Sequence, residues 1–130
     1  MNWKEIQTLY PKAFEQMIAW VNISDVNNPK FGQLEYNAEV GYNLPIGSFR
    51  WLYDFFDSFP IFIILQQFDD GDFYALVRLF ENYGTDKYAK EGHLDWEFYA
   101  GKDHESGIFT NRIDAEIDGF EHAFELLNNL

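Results

Sequence analysis

The sequence predicts an α+β domain, with helices at both ends around a three- to four-stranded antiparallel meander. Three observations carry this. Residues 59–83 hold two dense apolar runs, 59–65 and 73–80, joined by Asp69-Asp70-Gly71-Asp72. Asp-Gly between such runs signals a hairpin, because glycine accepts the positive φ that tight turns need. Residues on either side of this hairpin place apolar side chains at helical spacing, and residues 93–100 alternate strictly between apolar and polar. That alternation describes a half-buried strand with one wet face.

Taken in order, Asn2 and Glu5 have the spacing of a helix-capping pair ahead of Ile6 and Leu9. Tyr10-Pro11 interrupts that helix, and Pro11 suits the first turn of a second one because proline lacks an N–H that would be unpaired there. Phe14, Met17, Ile18 and Val21 then form its apolar stripe. Residues 22–43 are irregular and rich in breakers, with a short strand expected within 33–40. Residues 45–59 read as a helix that Ser48 can cap. Leu52, Phe55, Phe56 and Phe59 lie inward, Asp54 and Asp57 outward, and Pro60 ends it.

After the hairpin, residues 84–92 read as a polar loop. Beyond the 93–100 strand, residues 101–107 read as a turn and residues 108–110 as a short fourth strand. Asn111 and Asp114 mark the start of a closing helix over residues 112–128. Its inward stripe is Ile113, Ile117, Phe120, Phe124 and Leu127, and its outward face carries Asp114, Glu116, Asp118, Glu121 and Glu125. Gly119 inside this helix costs about 1 kcal/mol relative to alanine. The 130 residues suffice for one globular domain, 1–130, with a sizeable core.

Composition narrows the chemistry. The chain contains no cysteine, which excludes disulfides, thiolate catalysis and cysteine-ligated metal centres, and fits a reducing compartment. No basic start followed by an apolar run is visible at the N-terminus, and no apolar run reaches membrane-spanning length, so a cytoplasmic location is expected. Asn22-Ile23-Ser24 matches a glycosylation acceptor, which without an export signal is a chance match. Aromatic residues make up 20% of the chain, far more than a disordered segment carries.

The net charge is −13, and it is unevenly placed. Residues 1–53 carry 4 Lys/Arg against 5 Asp/Glu, whereas residues 54–130 carry 5 against 17. An acidic field of this size repels phosphate backbones and anionic membranes, so neither nucleic acid nor a membrane is an expected direct partner. A basic protein is. The plain alternative is that the charge serves solubility alone.

Catalytic patterns are sparse. Asp69-Asp70-Gly71-Asp72 fails the EF-hand pattern, and turn geometry already explains its residues. His93, Asp95 and Glu97 share one strand face, with His104 and Glu105 just beyond, and are the candidate metal ligands. Against that stands the ordinary wet face of an edge strand. His122 follows Asp118 by one turn and reads as a surface pair. None of Ser24, Ser48, Ser58 and Ser106 lies in a nucleophile elbow, and no Walker lysine motif occurs. With 22 acidic residues, no carboxylate pair for glycoside chemistry singles itself out. No cofactor is expected.

Trp3, Trp20, Trp51, Tyr53 and Tyr99 fall off or at the edge of the apolar stripes. Trp51, Tyr53 and Tyr99 are accordingly the candidate partner-binding residues, since aromatic side chains beside charge make interface anchors. A small change of helix phase would place several of them in the core instead. Arg50-Trp51-Leu52-Tyr53-Asp54-Phe55-Phe56-Asp57 resembles a segment of small proteins of Bacteroides-type bacteria and their prophages. Thr110-Asn111-Arg112-Ile113-Asp114-Ala115-Glu116 with Ala123-Phe124-Glu125-Leu126-Leu127-Asn128 resembles the end of the same proteins. The resemblance implies a small α+β domain of mobile-element origin and no particular activity. Three functional expectations follow: a non-enzymatic acidic interaction domain, of inhibitor or immunity type; a metal-dependent enzyme or metal binder using His93, Asp95 and Glu97; or a self-assembling structural protein.

Overall fold

Local capping sets where the first helices begin. In the computed structural model, which describes residues 1–25, 33–59, 61–79 and 108–130, Asn2 Oδ1 accepts the Glu5 N–H at 3.1 Å and opens α1 (Trp3–Leu9). Tyr10 closes α1, and α2 (Pro11–Asp25) starts on the proline. The next two N–H groups of α2, on Lys12 and Ala13, both donate to Asn128 Oδ1 at 3.0 and 3.2 Å. The cap of α2 therefore comes from the far end of the chain. Ala13, Phe14, Met17, Ile18 and Val21 are buried, as the stripe predicts.

The expected strand within 33–40 is present and has a partner. β1 (Leu34–Asn37) pairs antiparallel with β2 (Tyr42–Pro45) in a two-stranded sheet. Asn37 Oδ1 accepts the N–H groups of Glu39 and Val40, and Gly41 sits at φ 80°, so the chain reverses where continued alternation was expected. The predicted helix over 45–59 is correspondingly shorter: α3 spans Trp51–Asp57. Gly47 at φ 94° breaks the segment before it. Ser48 Oγ accepts the Arg50 N–H at 3.3 Å in the lead-in, while the capping position itself is Arg50.

The central hairpin is as read. β3 (Ile61–Gln67) pairs antiparallel with β4 (Phe73–Leu79), from Ile61 opposite Leu79 to Gln67 opposite Phe73. Phe68 and Gly71 close the turn, with Gly71 at φ 96° and Asp70 Oδ1 accepting the Asp72 N–H. Phe109 bridges to Phe73, which supports only a single bridge where a fourth strand was expected. The described strands form two antiparallel pairs, and with helices at both ends the chain is the α+β fold expected. The expected loop, strand and turn over 84–107 lie outside the described residues, as does Pro60.

The closing helix α4 (Arg112–Asn128) has the predicted bounds, and Asn111 Oδ1 accepts the Ile113 N–H at 2.7 Å. Its phase differs from expectation. Ile113 is 57% exposed, whereas Ala115, Gly119, Ala123 and Leu126 are buried beside Phe120, Phe124 and Leu127. Gly119 meets the sheet at a distance that a side chain does not permit. A Cβ on Gly119 would lie 2.7 Å from Ala75 Cβ and 3.2 Å from Ile63 Cγ2.

Aromatic rings fill the space between α3 and α4. Phe56 meets Phe124 edge to face at 4.9 Å and Phe120 at 6.5 Å, and Phe55 packs on Phe56 and Phe59. Each such pair adds about 0.5–1.5 kcal/mol beyond area burial.

Gly119→Ala tests the close approach. Helix propensity alone predicts a gain of about 1 kcal/mol. Overpacking predicts a net loss of about 1–3 kcal/mol, read as a lower urea midpoint. A raised midpoint would show that helix and sheet are free to move apart.

Candidate interaction surface

The aromatic candidates divide. Trp51 is a core residue, 6% exposed. It stacks between Trp3 at 6.0 Å and Trp20 at 6.3 Å, with interplanar angles of 29° and 16°. The reason is phase: Trp51 lies one turn before Phe55 and shares its buried side. Tyr53 is half-buried, its ring against Phe120 at 5.0 Å. Burial pushes its hydroxyl above the ordinary value and Glu116 adds to this, while Arg50 and Arg112 oppose it. Trp3 and Trp20 are also partly buried against the core. Tyr99, like the metal candidates His93, Asp95 and Glu97, lies outside the described residues. Among the described residues, no group of three or more His, Asp or Glu side chains has the arrangement of a metal site.

Charge is organised along α4. Asp114, Asp118, Glu121 and Glu125 recur at i, i+4, i+7 and i+11. At about 100° per residue they occupy about 60° of arc, opposite the buried side of the helix. His122 flanks this stripe, with Nε2 3.6 Å from Asp118 and Nδ1 3.9 Å from Glu125. The surface pair expected for His122 and Asp118 is therefore present. Glu116 lies off the stripe and pairs with Arg112 at 3.6 Å.

Glu121 is held above the ordinary carboxylate range, first by burial, then by Asp118 and then by Glu5 of α1; His122 and the N-terminal amine oppose this. Asp57 is raised for the same first reason, with Asp54 adding to it. Glu5 of α1 thus lies near enough to Glu121 to act on its charge.

Among the described residues, concavities lie beside α4, beside α1 and at the β1–β2 hairpin. One, of about 210 Å³, is lined by Phe109, Ile117, Asp114, Asp118 and Glu121. A second, of about 490 Å³, runs beside α1 past Lys4, Glu5, Leu9 and Glu39, where Lys4 Nζ donates to Gln7 Oε1 at 3.2 Å. The third, of about 410 Å³, lies between Trp3 and the β1–β2 hairpin and shares Glu39 with the second. Sequence reasoning missed this groove because it depends on the β2 strand and on the fold bringing Trp3 to Leu44.

Among the described residues, no helix is long and apolar enough to cross a membrane. Comparison with protein-family models, with characterised proteins and with solved structures finds no match to this chain.

The raised carboxyls predict a pH dependence. The folded chain holds these protons more tightly than the unfolded chain does. Their stabilising contribution is thus full below the ordinary carboxylate value and is lost as pH rises through the raised one. Glu121→Gln removes the ionisation cost, so its urea midpoint at pH 7 should exceed that of the parent, with a smaller gain on acidification. Parallel pH profiles for the two proteins would contradict the assignment.

Proposed function

We propose that the protein is a non-enzymatic interaction module whose acidic face binds a basic protein. The observation that carries this reading is the stripe of Asp114, Asp118, Glu121 and Glu125 on the solvent side of α4. It belongs to the half of the chain that holds 17 of the 22 acidic residues. A rigid helix presenting carboxylates one turn apart steers a positively charged surface towards it and penalises acidic competitors. Ile113 is exposed beside the stripe and Ile117 partly so, adding apolar contact to the charge.

Such a face suits an inhibitor or immunity-type protein whose target is itself basic, including a target that otherwise binds nucleic acid. Resemblance to small proteins of Bacteroides-type bacteria and their prophages fits a phage-derived origin for that role. The cysteine-free chain suits a reducing compartment, and a cytoplasmic location is part of the proposal.

The test is capture from the source cell lysate at about 0.01 M and about 1 M ionic strength, where the screening length falls from about 30 Å to about 3 Å. A fourfold variant, Asp114→Asn, Asp118→Asn, Glu121→Gln and Glu125→Gln, runs beside the parent. The reading requires a basic protein that the parent retains at low ionic strength, releases at high, and that the variant fails to hold. Capture indifferent to salt and to the variant would refute it.

A further inference from the structure

We propose that the groove between the start of α1 and the β1–β2 hairpin binds an arginine side chain of a protein partner. This rests on the reading of the protein as a binder of basic partners, and adds a second place of contact and its chemistry.

The groove combines aromatic surface with unengaged carboxylates. Trp3 and Tyr36 line it together with Ile46, Glu35 and Glu39. Tyr36 is 65% exposed and Ile46, just after β2, 45%. Glu35 stands directly across from the buried Leu44, so alternation puts its carboxylate on the side of the strand that Leu44 occupies and the Tyr36 ring on the other, leaving the Trp3 indole as the aromatic partner of Glu35. Among the described residues, neither the Glu35 nor the Glu39 carboxylate accepts a hydrogen bond or joins an ion pair. Among the described residues, no cationic side chain lines the groove.

The walls are fixed before any ligand arrives. Gln7 Nε2 donates to the Val40 carbonyl at 3.2 Å, tying α1 to the hairpin turn. Asn37 Oδ1 holds the Glu39 N–H at 3.0 Å, and the Gly41 N–H donates to the Asn37 carbonyl at 2.8 Å. Trp3 is held by its stack on Trp51 and its edge contacts with Phe49 and Phe124. The backbone of the groove and its Trp3 wall thus lose little conformational freedom on binding, and the Glu35 and Glu39 side chains order as they engage the ligand.

Guanidinium matches this lining better than ammonium. Its plane stacks on an indole ring such as that of Trp3, and its fork of N–H donors meets a carboxylate with two parallel hydrogen bonds. It is also the more weakly hydrated cation, so leaving water costs it less. The negative sign of both flanking side chains selects for a cation, and the aromatic lining selects for arginine.

The test uses blocked Gly-Arg-Gly-Arg-Gly and Gly-Lys-Gly-Lys-Gly peptides at about 0.1 M ionic strength, where charges more than about 10 Å away are largely screened. Tryptophan emission of the intact protein reports binding, because Trp3 lines the groove. The arginine peptide should bind more tightly than its lysine counterpart. Glu35→Gln with Glu39→Gln should weaken it about tenfold. Asp118→Asn with Glu121→Gln makes the same change in charge and should weaken it less than about twofold. Unchanged far-ultraviolet circular dichroism establishes that both pairs fold. Equal weakening by the two pairs, or equal binding of the two peptides, would overturn the groove. Weakening confined to the α4 pair would overturn the groove and leave the acidic face standing. Failure of either peptide to bind even at about 0.01 M would overturn both.

Discussion

The seating of α4 on the β3–β4 hairpin at Gly119 is the constraint on which the rest of the molecule depends. Ala75 and Ile63 come so close to the helix that no side chain fits between them. That approach selects the rotation of α4 about its axis: Gly119 turns to the sheet, while Phe120 and Phe124 turn to the Phe56 ring of α3. One rotation fixes two surfaces. With the small residues inward, Asp114, Asp118, Glu121 and Glu125 must lie on the opposite side, aligned for solvent or for a partner.

Aromatic packing then joins the remaining pieces to this seat. Phe124 touches Trp3 of α1 and both Phe55 and Phe56 of α3, so a single side chain on α4 meets two other helices. The stack of Trp3, Trp51 and Trp20 binds α1, α3 and α2 in turn. Asn128 caps α2 from the other end of α4. Among the described residues, most aromatic rings are thus buried or half-buried. Flat rings bury much area at little cost in side-chain entropy, which suits short helices such as α1 and α3.

Much of this was legible in the sequence wherever the determining interaction is local. Asn2 and Asn111 cap the helices they precede, the α2 stripe is buried as spaced, and the Asp-Gly turn joins the strands it separates. Interactions between distant segments were not legible. Nothing near Pro11 announces Asn128. Gly119 looked like a cost to its helix, and only the neighbouring strands reveal it as the point of contact. Ile113 belongs to a plausible stripe, yet the approach at Gly119 rotates the helix and leaves it exposed. For Trp51, the one-turn spacing to Phe55 was the available signal of burial. The β1–β2 turn had Asn37 and Gly41 as its signal, outweighed by the apparent alternation around them. Of the candidate site, the acidic sign was readable from composition. Its concentration on one stripe follows from helical spacing, and its extension to Glu5, Glu39 and Glu35 required the fold.

The central claim is that one continuous acidic face, running from α4 across α1 to the β1–β2 hairpin, makes the contact with a basic protein. Carboxyl footprinting by carbodiimide coupling and mass spectrometry tests it most directly, comparing the free protein with its complex with the basic protein captured at low ionic strength. The account predicts protection of Asp118, Glu121, Glu39 and Glu35 in the complex, with Asp69 and Asp70 at the hairpin turn modified as before. Protection centred on Asp69 and Asp70, with the α4 stripe still fully reactive, would contradict it.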